Sequence, residues 1–277
     1  MGEFLTKLRK DKIGIVGLIG VLLILVIGIL APVISPHDPT HTFNEHRLES
    51  PSSKFIFGTD DLGRDIFSRI IYGARVSLTV GLISVGIGAG FGLLFGLLAG
   101  YFKGWVDNVI MRIMDVLFAF PDLLLALAVV AILGPNLTNT MIAIGIVFIP
   151  VFTRLVRSTV ITVKEMDYVS NAMSVGASNL RIIAKHITPN ILAPFLVQVT
   201  LALSSAILTE AALSFLGLGI QPPDPSWGSM LNTSRRFMEL APWTAIFPTI
   251  FIVVTIFSFN LLGDSLRDLL DPRVKKE

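Results

Sequence analysis

The sequence contains few residues that could carry out chemistry, and those it contains are dispersed. There is no cysteine among the 277 residues, which excludes disulfides, thiolate metal sites and thiol nucleophiles. The four histidines, His37, His41, His46 and His186, are too scattered to predict a metal site. A Gly-x-x-x-x-Gly-Lys-Ser/Thr phosphate loop is missing, and no Gly-Lys dipeptide occurs. We therefore predict no metal, cofactor or catalytic residue in this chain.

Three polar side chains interrupt long apolar stretches. Glu210 is the only carboxylate clearly inside a predicted membrane span, Gln198 precedes it in the same span, and Asp122 lies nearer the end of another. A charge in mid-membrane costs roughly 2.5–3.5 kcal/mol on insertion scales, so we expect Glu210 to face protein or water. The three residues are candidates for a translocation path or for the interior of a helix bundle, where Glu210 would be a hydrogen-bonded packing residue.

The longest polar interruption in the second half of the chain is residues 164–189, which we interpret as two short amphipathic helices. Gly176 is expected to end the first helix with a positive φ, Ser178 to cap the second, and Pro189 to stop it. The apolar residues of the first helix are predicted to share one face: Tyr168, Val169, Ala172 and Val175. Those of the second helix do the same: Leu180, Ile183, Ala184 and Ile187.

Composition indicates an all-α polytopic membrane protein. Hydrophobic residues make up 53% of the chain and charged residues 15%, against about 25% charged in a soluble domain. A membrane core about 30 Å thick is crossed by roughly 20 apolar helical residues. The first candidate, 13–34, is too long for a signal peptide, whose apolar region has about 7–15 residues. Six transmembrane helices are predicted, at 13–34, 76–101, 111–133, 138–156, 191–218 and 241–263.

The remaining segments define the topology. Most of the 22 lysines and arginines fall in segments on one side of the membrane, which favours a cytoplasmic location for both termini and for 164–189. The N-terminal segment 1–12 contains Lys7, Arg9, Lys10 and Lys12, and the tail 264–277 contains Arg267, Arg273, Lys275 and Lys276. The extracytoplasmic segments would then be 35–75, ending in a short interfacial helix, and 219–240. Residues 76–263 form a five-helix transmembrane domain.

Two features are predicted to shape the spans. The second span has a glycine at every fourth position, and such a stripe lets helix backbones approach closely. Its members are Gly88, Gly92, Gly96 and Gly100. In the third span, Pro121 is expected to cause a kink, and Arg112 is placed to pair with Asp115.

The segment 164–189 resembles the cytoplasmic coupling loop of ABC-importer permeases. That family's pattern is Glu-Ala-Ala, three residues, Gly, nine residues, Ile, one residue, Leu-Pro. Ala172, Gly176 and Pro189 match it, whereas the other positions differ: Ser170, Asn171, His186 and Thr188. The string Gly58–Asp65, followed by Ser68 and Arg69, resembles the dipeptide/oligopeptide/nickel branch of this family. The stretch from Glu210 to Gly219 and the Pro-rich loop around Trp227 extend the resemblance over nearly the whole chain.

The resemblance implies a type I ABC importer permease fold and the role of second permease subunit. Expected partners are a homologous permease forming a heterodimer, two ATPase subunits that bind ATP and Mg, an extracytoplasmic substrate-binding protein and the lipid bilayer, but no nucleic acid. The subunit itself would be non-catalytic and lie in the cell membrane of a prokaryote. The residues implied in ATPase coupling are Asp167, Tyr168, Ser170, Asn171, Ala172, Gly176, Ala177, Ser178, His186 and Pro189.

The implied cargo is a di- or oligopeptide, and the same motifs occur in importers of nickel chelates and of glutathione. An ion-coupled secondary transporter is an alternative, but it would usually show inverted repeats, and none is evident. A membrane-embedded enzyme would need a nucleophile–base pair or metal ligands within a span, and no His or Cys lies in one.

Overall fold

A computed structural model describes residues 11–270, and these form a helical bundle in which no β-strand occurs. The helices of the first half are α1 (Lys12–Ile29), α2 (Ala31–Ile34), α3 (Ile66–Phe102), α4 (Gly104–Phe118), α5 (Asp122–Leu133) and α6 (Leu137–Lys164). Those of the second half are α7 (Asp167–Ser174), α8 (Asn179–Ile182), a π-helical turn (Ile183–Ile187), α9 (Thr188–Phe215), α10 (Trp227–Ser234) and α11 (Trp243–Leu270).

Five helical runs are long and apolar enough to cross a membrane: α1, α3, α6, the continuous run 179–215 and α11. The pair α4 and α5 would supply a sixth span. The all-α polytopic fold class is therefore confirmed. The first part of the predicted tail is the end of α11. Six basic residues of the two predicted terminal segments lie outside the described residues: Lys7, Arg9, Lys10, Arg273, Lys275 and Lys276.

The short interfacial helix predicted before the second span is wrong, because α3 runs without a break from Ile66 to Phe102. No proline interrupts this run, and Asp65 caps its start by accepting the Ser68 N–H at 3.2 Å. The apolar side of its first turns is buried in protein, with Ile66 and Ile70 fully buried against Trp227 of α10. These turns are therefore the packed first part of the long helix α3.

Two separate helices stand where the sequence predicted a kinked third span. Helices α4 and α5 meet at 92°, with Pro121 in an extended conformation immediately before α5. The predicted Arg112–Asp115 pair is also wrong. Asp115 instead accepts a hydrogen bond from Arg154 of α6 at 2.6 Å. The spacing of residues within one helix does not predict a partner on another helix.

The glycine stripe of α3 packs against α6. A Cβ added at Gly88, Gly96 or Gly100 would lie 2.5–2.7 Å from the Cβ atom of Phe148, Val156 or Val160, respectively. A Cβ at Gly92 would collide with that of Phe152. The glycines of α3 and the large side chains of α6 both recur at every fourth residue, so each glycine packs against one large side chain. We call this contact the α3–α6 seam.

A second small-residue contact joins the two ends of the chain. Gly14, Gly17 and Gly20 of α1 lie against α11, where Ser265, Leu262 and Ser258 occupy the space a Cβ would need. The first span thus docks on the last, and we call this contact the α1–α11 seam.

Candidate functional site

The segment between α6 and α9, which we call the coupling loop, is built around Gly176. Helix α7 ends at Ser174, and Gly176 follows with φ +83°. Its N–H donates to the carbonyl of Met173 at 3.0 Å, and the N–H of Ala177 donates to the carbonyl of Ala172 at 3.1 Å. This pair of bonds is the Schellman motif, which turns the chain sharply after a helix. The expected left-handed glycine is therefore present.

The prediction that Pro189 stops the second short helix is wrong. Helix α8, the π-helical turn and α9 form one continuous run, with Pro189 in the first turn of α9. Proline lacks an N–H, and the π-helical turn before it leaves room for its ring. The Thr188 hydroxyl helps by donating to the carbonyl of Ile183 at 2.9 Å. Ser178 occupies the position before α8, but its side chain makes no capping hydrogen bond.

One side of the coupling loop is fastened to the helix bundle. Val169, Ile182 and Ile187 are buried in a cluster with Val160 and Val163 of α6. Burial of these apolar side chains holds α7 and α8 against the ends of the spans.

Two polar contacts reinforce this attachment. The Tyr101 hydroxyl of α3 donates to Asn179 Oδ1 at 2.8 Å, and Lys164 Nζ donates to the Tyr101 carbonyl at 2.6 Å. The Lys164 ammonium also lies 4.7 Å from the centre of the Tyr101 ring. The sequence reasoning missed Tyr101 and Asn179, because only the fold brings these distant residues together.

The other side of the coupling loop is open. Val175 and Leu180 are 88% and 77% exposed, and Tyr168 is partly exposed. The predicted single apolar face of each short helix is therefore wrong: Val169 and Ile187 point inward, whereas Val175 and Leu180 point outward. Two apolar surfaces, one inside and one outside, suit a segment that connects the bundle to a partner.

The remaining coupling residues surround this open surface. A shallow cleft of about 350 Å³ is lined by Ala172, Val175, Gly176, Ala177, Arg181, Lys185 and His186. The Tyr168 hydroxyl accepts a hydrogen bond from Asn190 Nδ2 at 3.0 Å, and its ring lies 6.3 Å from that of His186. Besides Tyr168, the implied coupling positions with exposed side chains are Asp167, Ser170, Asn171, Ser178 and Pro189.

Glu210 lies in the interior of the bundle. It is fully buried on α9 and accepts hydrogen bonds from the hydroxyls of Ser77 and Ser214, at 3.1 and 2.7 Å. Close by, Trp227 Nε1 donates to the carbonyl of Ile70 at 3.0 Å, joining α10 to α3. Glu210 thus belongs to a polar contact between two spans.

The other two polar candidates lie in different settings. Gln198 is half-buried and lines a cavity of about 500 Å³ between α6, α9 and α11, with Arg267 at its edge. Asp122 is exposed in the first turn of α5. The three candidates do not share one environment.

The string Gly58–Arg69 forms a compact charged cluster before α3. Asp60 accepts a hydrogen bond from Arg64 Nε at 2.7 Å, and Arg69 Nε lies 3.6 Å from the same carboxylate oxygen. A further Arg69 nitrogen donates to the carbonyl of Pro39 at 2.9 Å. Asp60, Arg64 and Arg69 are each less than 10% exposed. This burial indicates that the string serves folding.

Two protein-family models match this chain. The family model for the binding-protein-dependent transport system inner membrane component matches residues 92–276, and the model for the N-terminal TM domain of oligopeptide transport permease C matches residues 1–51. The chain belongs to the binding-protein-dependent transport system inner membrane component family. It is a permease subunit of ABC importers, within the group similar to DppC and OppC, as the sequence motifs predicted.

Curated relatives match nearly the whole chain. The dipeptide transport system permease protein DppC of Alkalihalophilus pseudofirmus is 50% identical over 274 residues, covering 99% of this chain and 90% of the relative. The glutathione transport system permease protein GsiD of Escherichia coli is 47% identical over the same length and with the same coverage.

Solved structures agree on the fold. An inward-facing MetNI methionine ABC transporter matches with a TM-score of 0.60 at 15% identity, over 73% of this chain and 96% of that chain. An amino acid ABC transporter matches with a TM-score of 0.57 at 16% identity, over 73% of this chain and 94% of that chain. These likenesses confirm the type I ABC importer permease fold.

Proposed function

We propose that this chain is one of two homologous but distinct permeases that form the pore of an ATP-driven importer of di- and oligopeptides. The observation that carries the proposal is the 50% identity to a dipeptide permease over almost the entire chain. The relatives named for glutathione, itself a tripeptide, support a peptide-like cargo. The same machinery for glutathione is therefore the second candidate, and nickel chelates are a third.

In this proposal the coupling loop is the site where energy enters. Two ATPase subunits bind ATP and Mg and grip the coupling loops of the two permeases. The exposed side chains of Val175 and Leu180 and the cationic cleft contact one ATPase. The buried side chains and the Tyr101–Asn179 hydrogen bond pass its movement to the spans. This chain holds no cofactor and performs no catalysis in the cycle.

The remaining partners follow from the same scheme. An extracytoplasmic binding protein delivers the peptide to the face opposite the coupling loop. Both termini lie in the cytoplasm, and the subunit resides in the inner membrane of a prokaryote. The distribution of lysine and arginine supports this orientation.

Uptake by cells that lack only this subunit tests the proposal. Labelled dipeptide, glutathione and a nickel chelate would be supplied in parallel, with the wild-type chain restored as a control. Loss of dipeptide uptake, restored by the wild-type chain and abolished by ATP depletion, is the expected result. Loss confined to glutathione or to the nickel chelate would transfer the assignment to that cargo. Uptake that survives ATP depletion and stops with an ionophore would contradict an ABC importer.

A further inference from the structure

The ion pairs of the described residues fall into two groups. One group lies between residues 37 and 69, in the segment before α3 and its first turn. The other group joins α4 to α6, and it includes Lys103, just before α4, and Glu165, just after α6. This second group has three rungs, which we call the α4–α6 ladder: Lys103–Glu165, Asp107–Arg157 and Asp115–Arg154.

The middle rung of the ladder is the strongest. Arg157 Nε donates to Asp107 Oδ1 at 2.5 Å, and a second guanidinium nitrogen donates to Oδ2 at 2.6 Å. The Asp107 side chain is 14% exposed and that of Arg157 is 31% exposed. A paired, partly desolvated arginine–carboxylate contact fixes both distance and orientation. The two outer rungs are more exposed and so contribute less.

Few apolar side chains of α4 are buried. Met114 is its one buried residue, and Asp107 and Asp115 pair with arginines of α6. At the far end, the Arg154 guanidinium lies 3.8 Å from the centre of the Phe118 ring. Phe118 is the last residue of α4, immediately before the 92° bend into α5.

The ladder connects two functional parts of the chain. Helix α6 ends at Lys164, Glu165 follows it, and α7 of the coupling loop begins at Asp167. We propose that the ladder makes α4 and the coupling-loop end of α6 move as one body, so that movement imposed on the coupling loop reaches the bent span formed by α4 and α5. Asp107 and Arg157 are positioning residues for transport. This inference rests on the proposed function of the coupling loop.

A conservative substitution tests the ladder. Asp107→Asn keeps the shape of the side chain and removes the charge that Arg157 grips. In membranes carrying the complete importer, at matched subunit abundance, the readout is substrate transported per ATP hydrolysed. We expect this ratio to fall by about tenfold, within the range by which residues between coupled sites act. The charge-exchanged pair Asp107→Arg with Arg157→Asp should recover much of the loss, which a purely structural role of either residue alone does not predict.

Arg112→Gln is the matched control, because Arg112 lies on the same helix but takes part in none of the ion pairs of the described residues. It should leave the ratio unchanged. A wild-type ratio in Asp107→Asn would overturn the inference. If Asp107→Asn has a wild-type ratio but Gly176→Val uncouples the importer in the same assay, the ladder inference fails and the proposed function of the coupling loop stands. If neither variant uncouples the importer, the proposed function of the loop fails as well.

Cross-linking decides whether α4 and α6 move together or separate during the cycle. Because the chain has no cysteine, Asp107→Cys with Arg157→Cys adds the only two thiols of this subunit. Before treatment this variant should resemble Asp107→Asn. A short bifunctional thiol reagent that joins the two helices should restore the transport-to-ATP ratio, whereas each single-cysteine variant should not respond. Loss of transport on joining the helices would overturn the inference, because it would show that they have to part.

Discussion

At the scale of single residues, the turn of the coupling loop depends on a backbone conformation. Gly176 has φ +83°, and a Cβ added there would meet nothing within 4 Å. A substitution therefore causes no collision, and its whole effect comes from the left-handed backbone, which costs an ordinary residue roughly 1–2 kcal/mol. A substituted chain that relieves this strain by extending α7 through the turn re-aims Val175 and Leu180.

Gly176→Val is thus expected to uncouple the importer. Transport and substrate-stimulated ATP hydrolysis by the assembled complex should fall about tenfold, since 1.4 kcal/mol corresponds to a factor of ten. Insertion should be unaffected, because the spans do not contact this position. The measurement is transport and ATPase activity at equal membrane abundance. Wild-type coupling in this variant would show that the loop is only a connector.

Glu210 offers a second residue-level test, between packing and a direct role in translocation. Glu210→Gln keeps an acceptor and adds a donor near Ser77 and Ser214, whereas Glu210→Ala leaves both hydroxyls without their partner, at about 1–3 kcal/mol for each unsatisfied group. We expect Gln to retain abundance and transport and Ala to lower the melting temperature and the amount of subunit. Normal abundance with lost transport in Glu210→Gln would favour the translocation path.

At the scale of helices, the α3–α6 seam shows what glycine does in this bundle. The seam leaves no room for a side chain at Gly92, because Phe152 already fills the space. Gly86 and Gly90 belong to the same helix but face open space, with nothing within 4 Å of an added Cβ. The four glycines of the stripe thus lie along the contact with α6, whereas Gly86 and Gly90, which are also four residues apart, do not.

Gly92→Val is expected to force α3 and α6 apart, and overpacking of this kind typically costs about 1–3 kcal/mol. The subunit should therefore accumulate in the membrane to a much lower level and unfold at a lower temperature. Gly90→Val is the matched control and should accumulate normally. Quantitative immunoblotting of membranes, with a thermal shift in detergent, would measure both effects. Equal levels of the two variants would contradict close packing at the seam.

The elements predicted from sequence were those governed by local pattern. The length of the apolar stretches predicted the spans. The positions of glycine predicted the stripe in the second span and the turn at Gly176. The errors lie where a distant partner decides the outcome. Residues 66–75 are part of the same helix as the second span, and α10 packs against them. Asp115 pairs with Arg154 of another helix and not with Arg112 of its own. At Pro189 a π-helical turn let the helix continue, and no local rule distinguishes that outcome from a stop. Tyr101 and Asn179 meet only in the folded chain.

At the scale of the whole molecule, orientation in the membrane is a prediction from charge. Reporter fusions after Lys12, Lys164 and Lys276 should be cytoplasmic, although Lys276 lies outside the described residues. Fusions within 40–54 and 226–236 should be external, because lysines and arginines are concentrated on the opposite side. Alkaline phosphatase and fluorescent protein activities would report the two sides. An external signal at Lys164 would place the coupling loop beyond the reach of an ATPase.

The α1–α11 seam has a consequence for biogenesis. The chain is synthesised from its N-terminus, so α1 reaches the membrane first, whereas the helix that receives Gly14, Gly17 and Gly20 arrives last. Until Trp243–Leu270 has been inserted, Gly14, Gly17 and Gly20 lack the residues that pack on them in the folded subunit. A ribosome that stops early leaves these glycines uncovered, and a complete chain covers them. The α1–α11 seam can therefore close only after Trp243–Leu270 has been synthesised and inserted.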